Sequence, residues 1–247
     1  MKRPLIGMNC DSFSDRIGMI DGLRSPYARA VERAGGVPVL IPPYENPESL
    51  ETVLDRVDAI LLTGGDDVRP ERLGVSGPLP AINPMTPERD RADFALIEAV
   101  QRIKIPTLAI CLGCQELNIA RGGTLWLDLD TENPSPVTHH LTPGESAFHT
   151  VDVEPDSPLG KLWQGARDVR VNSRHHQAIR AAGSGVRPLG HSPDGVVEAI
   201  ELDDHPFLVG VQWHPENLAC EGDPFAEKLF EALVAHAINY RKNVPRR

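Results

Sequence analysis

Three side chains in this sequence could together attack a carbonyl carbon: the thiol of Cys111, the imidazole of His214 and the carboxylate of Glu216. Cys111 stands within IPTLAICLGCQELNIARGG, Ile105 to Gly123. The first half is a short apolar run entered at Pro106, and it reads as a strand buried on both faces. The second half, CQELNIA, reads as a helix stopped by Gly122 and Gly123. Cys111 thus falls at the carboxyl end of a strand and the amino end of a helix, where free N–H groups and the helix dipole favour a thiolate. Gly113 is read as permitting the tight turn and Ala109 as small for the same reason. The pattern is a cysteine form of the nucleophile elbow, with alanine where glycine is more usual.

A strand-end cysteine is as readily a packing residue, so a nucleophile also requires a base. His214 directly follows the apolar strand FLVGVQW, with Pro215 limiting the backbone before Glu216. The carboxylate can fix the tautomer of His214 and stabilise the imidazolium formed beside a thiolate. Gly64-Gly65 closes another buried strand. It is either a plain turn or a backbone that approaches substrate closely, with one N–H aimed at a developing oxyanion and that of Leu112 as second donor.

The elements that must position these groups alternate. Strands are expected at Leu5 to Asn9, Val37 to Ile41 and Val57 to Thr63, and helices at Arg24 to Ala34, Pro47 to Arg56 and Pro87 to Ile103, the last with Thr86 as N-cap. With the central strand and helix this is βαβαβαβα, the signature of a parallel sheet covered on both faces. Residues 66–86 have no clear period and are rich in Pro and Gly, a long irregular loop of the kind that is often functional. The second half is strand-rich, at Ala147 to Val153, Val169 to Ser173, Gly195 to Glu201 and Phe207 to Trp213, and suggests antiparallel additions to the sheet. A short helix is expected at Ser157 to Trp163 and an amphipathic one at Asp223 to Tyr240. In open parallel sheets ligands bind beyond the carboxyl ends of the strands, where Gly64-Gly65, Cys111 and His214 all fall. No repeat or linker divides the chain, so residues 1–247 are expected to form a single domain.

Length and composition narrow the function. The chain has 247 residues and a net charge of −10 with no basic stripe, which argues against nucleic acid as a partner. The start, MKRPLIGMN, has too short an apolar core for a signal peptide, and no window approaches a membrane span. Four cysteines do not make a disulfide scaffold in a chain of this size, and the cytosol is the expected compartment. Cys114 completes C-x-x-C with Cys111, so a redox pair or half a metal site competes with the nucleophile reading; with Cys111 opening the helix, Cys114 is one turn in and expected to pack. His139-His140, His149 and His175-His176 lack a recognised ligand spacing. No metal or cofactor is expected, and His139, His140, His149 and His175 are given scattered surface roles. Asp66, Asp67 and Asp90 are either an acidic surface for an amine-bearing leaving group or solvated loop acids and a helix-start carboxylate.

AICLGCQ, LLTGGDDVRP, VNSRHHQ, DGVVEAIE and GVQWHPE, in that order, resemble the class I glutamine amidotransferase superfamily, and within it the γ-glutamyl-γ-aminobutyrate hydrolase branch, peptidase family C26. The resemblance runs over nearly the whole chain. It implies an α/β, flavodoxin-like fold and hydrolysis of a γ-glutamyl amide through a cysteine thioester. It implies Cys111 as nucleophile, His214 as general base and acid, Glu216 as its orienter, and Gly65 and Leu112 as oxyanion donors. By the same resemblance Gln115 contacts the glutamyl part of a small-molecule substrate, and Gly64, Asn172, Ser173 and His176 line its pocket. Two positions depart from the branch: Leu112 stands where arginine is common, and Leu73 where tyrosine is usual. The alternatives are a glutaminase subunit that feeds ammonia to a separate synthase, and a C-x-x-C redox protein. A homodimer is compatible with the sequence.

Overall fold

The computed structural model describes residues 2–14, 16–74, 82–142 and 144–243. In chain order the elements are β1 (Leu5–Asn9), β2 (Asp11–Ser14), β3 (Met19–Gly22), α1 (Ser25–Arg33), β4 (Val37–Ile41), α2 (Pro47–Leu54), β5 (Ala59–Leu62), α3 (Pro87–Ile103), β6 (Thr107–Ile110), α4 (Leu112–Ala120), β7 (Thr124–Trp126), α5 (Leu129–Glu132), β8 (Ala147–Val153), α6 (Pro158–Leu162), β9 (Val169–Ser173), β10 (Ala178–Ala181), β11 (Val186–His191), β12 (Val197–Leu202), β13 (Leu208–Val211), α7 (Pro215–Glu221) and α8 (Pro224–Asn243). A 3-10 turn, Pro70–Leu73, lies in the long loop after β5; residues 75–81 of that loop lie outside the described ones.

The main sheet runs β4-β1-β5-β6-β13-β12-β11-β8-β9. The strands from β4 to β13 are parallel, and every pairing from β13 outward through β12, β11, β8 and β9 is antiparallel. The apolar strands feed two cores in alternation, as a pleat with period two requires. Ile6, Met8, Ala59, Leu61, Leu108, Ile110, Val209 and Val211 face α1 and α8. Ile60, Leu62, Ala109 and Leu208 face α3 and α4. Strands buried on both faces need apolar residues at every position, which is why VDAILLT and IPTLAI read as continuous runs.

The expected helices and strands are present, most within two residues of their expected ends. Thr86 caps α3 by accepting from the Arg89 N–H at 3.3 Å, and Ser157 caps α6 by accepting from the Gly160 N–H at 2.9 Å. Other elements carry too weak a signal to be expected. The β2–β3 hairpin is mostly polar and exposed, and it inserts between β1 and α1. β7 and β10 are three- and four-residue strands that pair with each other, and β10 also touches β12.

Candidate active site

Cys111 is the junction residue itself, with φ 50° and ψ −104° between β6 and α4. For a residue with a Cβ this is a strained backbone, and it is held by its neighbours. The Cys111 N–H donates to Val211 O on β13 at 2.8 Å, and its carbonyl accepts from the Gln115 N–H at 3.1 Å. The role given to Gly113 is corrected here: the turn is made at Cys111, and Gly113 permits a close approach instead. A Cβ on Gly113 would stand 2.7 Å from Leu62 Cβ and 2.9 Å from Leu62 O. Glycine there seats the first turn of α4 directly on β5 and points its free N–H groups, that of Leu112 first, across the strand ends.

His214 lies between β13 and α7. Its Nδ1 is 2.9 Å from Glu216 Oε1, and because the carboxylate accepts, the proton sits on Nδ1 and is donated to Glu216. Glu216 Oε1 also accepts from Asn217 Nδ2 at 2.7 Å and lies 3.6 Å from Arg174. Burial disfavours the charged ring of His214, but the Glu216 carboxylate first, and then the neighbouring Cys111 sulfur, outweigh it and raise the imidazole to about 9. The backbone of His214 is clamped by Asn172, whose Oδ1 accepts from the His214 N–H and whose Nδ2 donates to the His214 carbonyl, each at 3.0 Å.

Gly64 and Gly65 complete the constellation. The Gly64 N–H donates to the Tyr27 hydroxyl at 3.0 Å, and a Cβ on Gly64 would stand 3.0 Å from His214 Cε1 and 3.5 Å from Cys111 Cβ. Three segments far apart in sequence therefore converge within contact distance. The Gly64 carbonyl accepts from Arg89 at 3.0 Å. A trans peptide points its C=O and N–H in opposite directions, so the Gly65 N–H faces away from Arg89. Gly65 is exposed, and a Cβ there would stand 2.3 Å from the Arg89 guanidinium, which excludes any other residue without moving the arginine.

Of the residues expected to line the pocket, Gly64 stands beside Cys111 and His214, and the side chains of Gln115, Asn172, Ser173 and His176 bond within the protein. Gln115 Nε2 donates to Gln177 O at 2.8 Å and to Gln212 Oε1 at 3.2 Å. Ser173 Oγ donates to His139 O at 2.6 Å, and Asn172 serves His214. His176 Nε2 lies about 3.0 Å from the Asp67 carboxylate, which raises the imidazole. Both polar groups of Asn172 and the hydroxyl of Ser173 are spent within the protein, so their part in this geometry is to hold the His214 segment and the loop of His139. Asp90 takes a two-pronged ion pair from Arg72 and sits in the first turn of α3, as a helix-start carboxylate does. Asp66 accepts from Asn83 Nδ2, and burial together with Asp11 and Asp67 raises it.

Three residues were not singled out in the sequence. Arg89 is wholly buried in α3 and holds Asp93, Asp11, Thr63 and the Gly64 carbonyl. Tyr27 on α1 takes the Gly64 N–H, and burial raises its phenol. Gln212 Nε2 donates to Cys111 Sγ at 3.6 Å. Only Gln212, two residues before His214 at the end of an apolar strand, carries a signal that spacing could have found.

Cys114 packs, as expected. It is buried against β13, where its sulfur would lie 2.8 Å from a Cβ on Gly210, and burial pushes its thiol well up. All four cysteines are free. The scattered roles given to His139, His149 and His175 are corrected: these three are buried together around Glu198. A cavity of about 970 Å³ opens between β1, β4 and α3, lined by Cys10, Asp21, Tyr44 and Asp93. Cys111, His214 and Gly65 do not line it, and it contains no thiol–imidazole pair.

The family model described as Peptidase C26 matches residues 4–216. The chain belongs to the peptidase C26 family. A γ-glutamyl-γ-aminobutyrate hydrolase of Escherichia coli O157:H7 is 38% identical over 220 residues, 86% of this chain and 85% of that one. Protein NtpR of Enterococcus hirae is 37% identical over 211 residues, 84% of this chain and 86% of that one. Among solved structures, the glutaminase domain of Trypanosoma brucei CTPS with bound acivicin superposes with a TM-score of 0.63 at 16% identity, over 96% of this chain and 94% of that one. The architecture is that of class I glutamine amidotransferases, an α/β sheet of flavodoxin-like type, and this C26 member has the family's hydrolase character. No helix among the described residues is long and apolar enough to cross a membrane.

Proposed function

We propose that the chain hydrolyses a γ-glutamyl amide, γ-glutamyl-γ-aminobutyrate or a related γ-glutamyl amine, to glutamate and the free amine. The observation that carries this reading is the strained Cys111 at a helix start, brought together across Gly64 with an imidazole that Glu216 orients. The Cys111 thiolate attacks the γ-carbonyl carbon, and the carbonyl electrons move to oxygen. The N–H groups of Gly65 and Leu112 stabilise that oxyanion. As the C–N bond breaks, the His214 imidazolium gives its proton to the leaving amine, and a thioester remains on Cys111. Neutral His214 then takes a proton from water, the hydroxide attacks the thioester, and the thiolate leaves as glutamate is released.

The names of the C26 relatives support this substrate class. The free thiols suit a reducing compartment, the cytosol. The test is a panel of γ-glutamyl amides, including glutamine, given to the purified chain, with mass spectrometry of the acylated protein. A glutamyl adduct on Cys111 and release of amine are expected. No turnover of any member by the chain alone would overturn the stand-alone reading in favour of a subunit that supplies ammonia to a synthase.

A further inference from the structure

His139, His149, His175 and Glu198 meet in the interior from four separate segments: the loop after α5, β8, the turn after β9, and β12. Their exposures are 5, 8, 4 and 0%. One nitrogen of each ring faces the same atom, Glu198 Oε1: His139 Nδ1 at 3.4 Å, His149 Nε2 at 3.4 Å and His175 Nε2 at 3.5 Å. None of these nitrogens makes a hydrogen bond, and neither oxygen of Glu198 receives one. Buried polar atoms left in that state are costly, and five of them crowded at one point require a common partner.

The far nitrogens say what that partner is. His149 Nδ1 lies 3.2 Å from Thr150 O and His175 Nδ1 lies 2.9 Å from Gln177 O. A carbonyl only accepts, so each Nδ1 carries the proton, and the neutral ring turns a lone pair toward Glu198. His139 Nε2 lies 3.1 Å from Asp194 Oδ2, which fixes the same arrangement with its Nδ1 inward. Three lone pairs and a carboxylate oxygen facing one point repel one another unless a cation stands between them.

We propose that these four residues form a structural zinc site. Zinc bound tetrahedrally with bonds of about 2.0–2.1 Å has ligand-to-ligand edges of about 3.3–3.4 Å, which the three nitrogen-to-oxygen distances match. All four ligand atoms lie within 4.8 Å of one another, so the remaining edges close by small side-chain rotations. Three imidazoles suit zinc and not magnesium or calcium, which take oxygen ligands. Four protein ligands leave no open position, which marks a structural rather than a catalytic ion. The cation is neutralised by Glu198 and by Asp194 behind His139, and each ring is held from behind in the way ligating histidines are. The site also braces the nucleophile. Gln177 O, which holds His175, accepts from Gln115, and Glu198 O accepts from the backbone of Gln212, whose side chain reaches Cys111.

None of the four ligands belongs to the hydrolytic triad, so this proposal stands or falls apart from the proposed reaction. The test is the metal content of the full chain, produced without a histidine tag, separated from loose metal by gel filtration and measured by inductively coupled plasma mass spectrometry. About one zinc per chain is expected, with X-ray absorption showing only nitrogen and oxygen neighbours at about 2.0 Å. Chelation should lower the melting temperature by roughly 10 °C, with recovery on adding zinc. His149→Ala and Glu198→Gln should lose most of the zinc, while Cys111→Ser keeps it. Should those ligand variants fail to fold, calorimetric titration of zinc into the chelated wild-type chain gives the answer, with one tight equivalent expected. A wild-type chain that neither carries zinc nor takes it up would overturn the proposal. So would zinc with a sulfur neighbour at about 2.3 Å that is lost in Cys111→Ser.

Discussion

The two halves of the sheet position their chemistry in different ways. In the parallel half the backbone does it: β5 ends in Gly64-Gly65, β6 ends in Cys111, and α4 begins at once beside them. Direction is set by strand ends and by a helix start, features a chain specifies locally. At the border with the antiparallel half, where β13 pairs in parallel with β6 and antiparallel with β12, side chains do it. His214 is held by Asn172 on β9 and by Glu216, and the strands around them are tied through His139, His149, His175 and Glu198. Half of the proposed reactive pair rests on secondary structure and the other half on a polar network whose members are far apart in sequence. Damage to the first should remove chemistry outright, whereas damage to the second should misplace an otherwise intact imidazole.

The largest effect expected is at Cys111. Cys111→Ala should lower kcat/KM for a γ-glutamyl amide on the order of 10⁴-fold or more, since little but binding and oxyanion donors remains. A melting curve close to that of wild type would show the loss to be chemical. Glu216→Gln should follow, with a fall of roughly 10²- to 10⁴-fold, because the amide neither favours the imidazolium nor dictates the tautomer. It carries a pH signature. The folded His214 is raised from 6.5 to about 9, so the pair contributes its full stability below about 6.5 and loses it as pH rises through about 9. Wild type should therefore become less stable across that window, and its kcat/KM should fall on the alkaline side as the proton for the leaving amine is lost. Glu216→Gln should flatten the stability slope and move the alkaline limb to lower pH. An unmoved limb in the variant would detach His214 from Glu216.

Arg89 tests the backbone-built half by stability. Its guanidinium is wholly buried between Asp93, Asp11 and the Gly64 carbonyl. Arg89→Met keeps most of the volume but leaves Asp93 buried without its cation, which should cost roughly 3–5 kcal/mol in denaturant unfolding. Any folded fraction should show a reduced kcat, since nothing then directs the Gly64–Gly65 peptide.

Those two modes of construction also explain what could be read in the sequence. The inner parallel strands β5 and β6 are continuous apolar runs, because both faces are covered, one running into Gly64-Gly65 and the other into Cys111; these were legible, as was Thr86 as a cap. That Cys111, His214 and Glu216 would meet was legible, because a thiol at a strand end calls for a base and a carboxylate beside it. The β2–β3 hairpin was not, because its strands are short and largely exposed, apolar Phe13, Met19 and Ile20 included, and have no period to detect. Arg89 looked like one more charge on an amphipathic helix, and only the fold reveals that its face meets the Gly64 carbonyl. His139, His149 and His175 looked scattered for a related reason. Their meeting point depends on the pairings of β8 with β9 and of β11 with β12, which no local spacing records.

Within the network-built half, Asn172→Ala should have an intermediate effect. Both of its polar atoms hold the backbone of His214, so its loss leaves the triad chemically complete but loosely placed. A fall in kcat of roughly 10- to 100-fold is expected, in line with displacement rather than removal of a catalytic group. KM should change little if Asn172 only positions His214. A large rise in KM with kcat kept would instead return Asn172 to the substrate pocket.

The smallest effect should be at Cys114, and it sharpens the comparison because Cys114 sits one turn from Cys111 on the same helix. Its thiol is buried against Gly210, and burial pushes it away from the thiolate form, so it neither reacts nor pairs readily with its neighbour. Cys114→Ala removes one sulfur from a packed site and should cost about 1 kcal/mol of stability, with kcat/KM within a few-fold of wild type. Equal losses of activity in Cys111→Ala and Cys114→Ala would mean that the two thiols act as a unit. That outcome would transfer the chemistry from acyl transfer to redox exchange, and the strain at Cys111 would then need another explanation.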